Sequence, residues 1–188
     1  MTAQEIEIHP LTLDRWPDLE ALFTQERAPN ECWCMWWRIP RTEWQRQKGE
    51  GNRLALKRIV ESGEVPGLLS YADGRSVGWV SVGPREVFPS LNRSPRFRKI
   101  DDSPAWSIVC FFIDGAHRGV GVAPRLLTAA RDYALTQGAQ VVEGYPSDPS
   151  RRLNDEWAYM GLRSMFEKAG FGEALRRSPG RPIMRFLA

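Results

Sequence analysis

The sequence predicts a single α/β domain over residues 1–188, and three stretches predict it. Residues 106–145 read as strand, glycine turn, helix, strand. Gly67–Tyr71 and Ser76–Val82 flank Asp73-Gly74 and read as a hairpin. Phe171–Arg176 and Ile183–Leu187, with Ser178-Pro179-Gly180 between them, read as a second, closing hairpin. With 42% hydrophobic and 26% charged residues the chain is long enough, and ordinary enough, to bury one core.

In chain order, Ile6, Ile8 and Pro10 alternate with polar residues, so Glu5–Leu11 is expected as a first strand. Thr12 or Asp14 caps an expected helix to Phe23, with Leu13, Trp16, Leu19, Leu22 and Phe23 facing inward. Residues 25–41 show no clean period. They hold Trp33, Trp36 and Trp37 beside Cys32 and Cys34, either as a packed aromatic corner or as a wall of a substrate pocket. Thr42–Ser62 is expected as a helix that Gly49-Glu50-Gly51 weakens and splits. Residues 84–104 form a long connection carrying Arg93, Arg96, Arg98 and Lys99, with Pro84-Arg85 as its anchor. A last helix is expected from about Asp155 to Ala169, stopped by Gly170.

Within 106–145, Trp106–Ile113 is apolar, rich in β-branched and aromatic residues, and bounded by Asp114-Gly115. The helix that follows has apolar positions at Ala123, Leu126, Leu127, Ala130, Tyr133 and Ala134, one stripe for a sheet, and Gly138 stops it. Ala139–Tyr145 is the second strand. Gly119 and Gly121 in the turn lack a Cβ, so a ligand can approach the backbone. The first N–H groups of the helix have no partner within it and carry partial positive charge, which suits a phosphate or diphosphate. Pro124 is compatible, because an N–H in the first turn would be unused.

Two ligands fit such a unit. A dinucleotide would use Glu143, about 20 residues on, as its ribose acid. Pro124 in place of the third glycine and the long Asp114–Arg118 link count against it. The other is coenzyme A. Arg118-Gly119-Val120-Gly121-Val122-Ala123 resembles the R/Q-x-x-G-x-G/A signature of the GNAT superfamily of acetyl-CoA-dependent N-acetyltransferases. Met165-Phe166-Glu167-Lys168-Ala169-Gly170-Phe171 is similar to that family's "LYEKLGF" segment.

The resemblance implies a sheet of six or seven mostly antiparallel strands, with a parallel central pair that splays apart and helices on both faces. Pantetheine would lie in the splay against Phe111, Phe112 and Ile113. Diphosphate would sit on the N–H groups of Arg118, Gly119, Val120, Gly121, Val122 and Ala123. An amine would attack the acetyl thioester directly, which calls for a base and a donor to the leaving thiolate. The family's tyrosine donor falls at Phe166. Tyr159, seven residues earlier and two helical turns away, is the proposed substitute. Glu143 is the leading base, with Asp101, Asp102 and Glu31 as alternatives. Trp33, Trp36 and Trp37 would border the acceptor, which is a small amine, a peptide or a protein terminus. Arg125, Arg151 and Arg152 would face the 3′-phosphate. The closing strands imply a homodimer.

The net charge of +3 does not argue for nucleic acid. No apolar run reaches membrane-spanning length. Three cysteines and no secretion signal predict a cytoplasmic protein with buried thiols and no metal site. Two other functions fit the same residues: an acyl-CoA-binding sensor without turnover, and a dinucleotide-dependent oxidoreductase.

Overall fold

A computed structural model describes residues 5–26, 28–148 and 159–188. Among them seven strands form one sheet: β1 (Glu7–Pro10), β2 (Gly67–Ala72), β3 (Arg75–Pro84), β4 (Trp106–Ile113), β5 (Val141–Gly144), β6 (Gly172–Arg176) and β7 (Pro182–Leu187). Their order across the sheet is β1-β2-β3-β4-β5-β7-β6. All neighbours are antiparallel except β4 and β5, which are parallel. This is the mixed sheet that the family resemblance implies.

The helices are α1 (Trp16–Phe23), α2 (Arg41–Arg46), α3 (Glu50–Glu61), α4 (Pro89–Arg93), α5 (Val122–Thr136) and α6 (Arg163–Lys168). The sheet divides the core in two. On one face Trp16, Leu19, Leu22 and Phe23 of α1 join Leu56 and Val60 of α3, Trp79 and Cys110. On the other, Leu126, Leu127, Ala130 and Ala134 of α5 pack with Val80, Ile108, Val142 and Phe166. The period-3.6 stripe read in α5 is thus the stripe it buries.

Several expectations need correction. The first strand is shorter than Glu5–Leu11, and Leu13 is 54% exposed, because Leu13–Arg15 forms a 3₁₀ turn ahead of α1. The helix expected over 42–62 is two helices, parted at Gly49, whose φ of 71° lies outside helical space. Residues 84–104 contain a 3₁₀ turn and α4. The last helix starts at Arg163, not near Asp155. Residues 159–162 form a turn and a bridge, and 155–158 lie outside the described residues, as do Arg151 and Arg152. Tyr159 and Phe166 therefore do not share a helix face.

Candidate active site

The central parallel pair is short by construction. β4 and β5 meet only at Trp106–Val142, Ser107–Glu143 and Ile108–Gly144. On its other side β4 pairs Ile108 with Val82 and Cys110 with Ser81, which leaves Val109 as an extra residue. Such a bulge bends the strand that carries it. It sits one residue past the last β4–β5 pair, so β4 turns away where pairing stops.

Residues 159–162 lie in the gap. The Tyr159 carbonyl accepts the Phe111 N–H at 2.7 Å, and the Gly161 carbonyl accepts the Ser147 N–H at 2.9 Å. Phe111, Phe112 and Ile113 are half-buried at the open end of β4. The Arg118 Nε donates to the Ile113 carbonyl at 3.1 Å, which folds the arginine back over that end.

Gly119 and Gly121 have φ of 78° and 90°, a region that side chains rarely enter, and a Cβ on either would meet open space. Val120 between them is 61% exposed. Val122 is buried in the core under α5, so at this position only its backbone is available to a ligand. His117 is held beside the turn, its Nδ1 2.8 Å from Asp114. An exposed glycine turn opening a 15-residue helix thus faces outward at the carboxyl end of β4.

Tyr159 keeps 37% of its surface exposed. Protein packed about its hydroxyl nevertheless pushes the phenol up to about 12; the Cys110 and Cys32 thiols add to this and Arg181 opposes it. The phenol is therefore protonated at neutral pH and able to donate.

Glu143 lies at the paired end of β5 and is 1% exposed. Its Oε2 accepts from Arg85 Nη1 at 2.7 Å and from the Tyr145 hydroxyl at 2.7 Å. Its Oε1 accepts from Arg185 Nε at 2.9 Å. Two guanidinium groups and a phenol enclose it. Asp101 is gripped by Arg185 at 2.6 and 3.1 Å, which holds its carboxyl well below the usual range. Glu31 pairs with Lys48 at 2.9 Å, and Asp102 is exposed on its loop.

The tryptophans divide. Trp33 is 3% exposed, stacked on Trp16 with ring centroids 5.9 Å apart and tilted on Phe23 at 5.3 Å. Trp37 is buried against Phe97. Trp36 is half-buried, its ring taken by Trp44 at 5.0 Å and by the Arg41 guanidinium at 5.6 Å. Phe166 is fully buried, 5.1 Å from Phe171.

The structure thus brings together residues 111–113, the 118–123 turn and Tyr159. It keeps Glu143, Trp33 and Trp37 in packed interiors. Sequence reasoning missed the bulge at Val109 and the buried, unpartnered Nη1 of Arg181, since both depend on residues remote in sequence.

The Acetyltransferase (GNAT) family model matches residues 14–154. The chain belongs to that family. No curated protein matches its sequence. Among solved structures, a GNAT acetyltransferase from Listeria monocytogenes is similar with a TM-score of 0.60 at 11% identity, covering 100% of this chain and 99% of that one. The PaiA N-acetyltransferase of Thermoplasma acidophilum, solved with coenzyme A, gives 0.56 at 15% identity, covering 98% and 99%. A polyamine N-acetyltransferase of Drosophila melanogaster that forms N-acetylagmatine gives 0.55 at 11%, covering 98% and 99%. At these identities the likeness is one of fold. That fold is the mostly antiparallel seven-stranded sheet with its parallel β4–β5 pair.

Proposed function

We propose that this protein is an acetyl-CoA-dependent N-acetyltransferase acting on a primary amine. One observation carries the reading: the bulged, parted end of β4 leads within a few residues into an exposed glycine turn that opens α5. The turn fits a diphosphate, because both glycines leave their surroundings open and the helix start offers unpaired N–H groups. The edge of β4 fits an extended pantetheine arm over Phe111–Ile113, provided the Tyr159 carbonyl gives up the Phe111 N–H. The coenzyme A bound to the Thermoplasma relative supports the same cosubstrate here.

Acetyl-CoA, when bound, supplies a thioester whose C–S bond breaks as the amine forms an amide. In this chain Arg118–Ala123 bind the diphosphate through backbone N–H groups, with the Arg118 side chain close by. Phe111–Ile113 orient the arm. The Tyr159 hydroxyl donates a proton or hydrogen bond to the departing thiolate. Glu143 braces the sheet instead of serving as base, since arginines and a phenol hold both of its oxygens. The amine proton leaves through water at the open mouth.

One observation favours a second reading, binding without turnover: Phe166 stands where the resemblance expects a tyrosine, and it is buried. Titration calorimetry with coenzyme A, followed by thiol release from acetyl-CoA with a panel of amines, tests both. The expected result is binding that Gly119→Val and Gly121→Val abolish, together with release on adding an amine. Binding without release favours the sensor. No binding, or unchanged uptake in both variants, overturns the cosubstrate assignment.

A further inference from the structure

Arg181 ends the turn between β6 and β7. Its Nη1 is buried and has no hydrogen-bond partner. Among the described residues no carboxylate pairs with it. That sets it apart from other arginines held in the fold. Arg85 has Glu143, Arg185 has Asp101 and Glu143, Arg53 has Glu20 and Glu50, and Arg176 has Asp148 and Glu173. Arg38 also lacks a carboxylate, but its Nη2 donates to the Pro66 carbonyl at 3.0 Å and it lies over the Phe88 ring at 4.5 Å.

The turn is fixed in place. Arg177 Nη1 and Nη2 donate to the carbonyls of Arg98 and Lys99 at 2.6 and 2.9 Å, and the Gly180 carbonyl accepts the Asp148 N–H at 2.9 Å. That puts the turn next to residues 98 and 99, close in sequence to the exposed Arg96, and next to Asp148, whose neighbour Ser147 bonds Gly161, two residues from Tyr159; the charges of Arg96 and of the Tyr159 phenol are felt at Arg181. Burial lowers the Arg181 pKa; the Tyr159 phenol opposes the fall and the Arg96 cation adds to it. A buried donor left unmade is costly, and nearby like charge adds to the cost. An anion at Arg181 removes both penalties, and a guanidinium fork matches a carboxylate or phosphate in two places at once. The diphosphate of coenzyme A is assigned to a different place, the turn at 118–123. The anion beside Tyr159 then belongs to the other substrate.

We propose that the acceptor amine also carries an acid group, a carboxylate or a phosphate, which Arg181 receives on the Tyr159 side of the β4 edge with Arg96 as the outer contact. This rests on the acetyltransferase reading and narrows its substrate class.

The test compares the L-amino acids and O-phosphoethanolamine with the α-amides and decarboxylated amines that match them. Thiol release is followed in the wild type and in Arg181→Met, Arg181→Lys and Arg96→Ala. Coenzyme A affinity and melting temperature serve as controls for folding. The expected result is a preference for acids. Arg181→Met should cut the acid-over-amide ratio of kcat/KM by at least tenfold through KM, Arg181→Lys should restore part of it, and Arg96→Ala should cut it less. Preference for carboxylate over phosphate, or the reverse, names the acid. Where no probe is turned over, calorimetry on coenzyme A-saturated protein decides, with acids binding the wild type but not Arg181→Met. Equal use of acids and amides, an unchanged ratio in Arg181→Met, or no acid bound to the loaded protein overturns the proposal and leaves the acetyltransferase reading standing. Failure of the wild type to bind coenzyme A removes both.

Discussion

Replacing Glu143 by Gln separates a brace from a base. The side chain is 2% exposed, and Arg85 opposite it is 3% exposed. Glutamine keeps the shape but removes the charge, and its amide nitrogen must then face a guanidinium or a phenol. Breaking a buried ion pair from one side costs about 3–5 kcal/mol. The lower end applies here, because Arg85 keeps Asn92 Oδ1 at 3.0 Å, the Phe97 carbonyl and the Tyr145 hydroxyl, and Arg185 keeps Asp101. For a chain of this length about 3 kcal/mol lowers the melting temperature by roughly 6–12 °C.

The assay pairs a thermal melt with thiol release at saturating acetyl-CoA, well below both melting points. A brace gives a large fall in melting temperature and a kcat within a few-fold of wild type. A general base gives the reverse: melting held, and kcat down by about 10²-fold or more. That second pattern would refute the placing of Glu143 outside the chemistry.

Tyr159→Phe should lower kcat by about 10²-fold while leaving coenzyme A affinity intact, because the contact to Phe111 is made by its backbone carbonyl; unchanged turnover in the thiol assay removes the donor role. Val120→Glu adds a carboxylate to an exposed point of the turn. It should weaken coenzyme A about tenfold, or ~1.4 kcal/mol, and less so in high salt, as read by calorimetry. Burial raises the Cys32 thiol from 9.0 to about 11. Its contribution to stability is therefore complete below the ordinary value and is lost as pH rises towards about 11. The urea midpoint of the wild type should fall relative to Cys32→Ala across that window, and a parallel course for the two proteins would contradict it.

What the sequence made legible is what short-range signals can carry. The β2–β3 hairpin followed from Asp73-Gly74 between apolar runs, β4 from eight residues of which all but Ser107 are apolar, and α5 from its stripe and its glycine stop. The glycine turn at 118–123 was readable for the same reason, being six consecutive residues. Features that depend on a partner were not. The bulge at Val109 exists only as a count of β4 residues against β3. The neutralisation of Glu143 needs Arg85, 58 residues away, and Arg185, 42 away. Tyr159 stands two helical turns before Phe166 in sequence, but the helix does not reach back that far. The three tryptophans stood out by type, yet nothing local revealed that Trp16 and Phe23 of α1 would cover Trp33.

The departure at Phe166 has a physical reason in the same region. A Cβ placed on Gly144 would lie 2.0 Å from Phe166 Cε1 and 2.6 Å from Cζ, so that edge of the ring is pressed against the last paired residue of β5. A Cβ on Gly161 would lie 2.9 Å from Cε2, so the opposite edge is closed by the segment that carries Tyr159. The ring is thus a wedge at the point where β4 and β5 separate. A hydroxyl on Cζ would press on β5 backbone in a core that is fully buried, so adding one there costs packing and leaves a polar group to be satisfied. Gly161 follows Tyr159 by two residues, and that segment bonds to both β4 and the continuation of β5. The wedge therefore supports the segment that carries Tyr159. Phe166 and the segment that carries Tyr159 thus belong to one packing arrangement, so a larger ring at 166 would be felt at Tyr159.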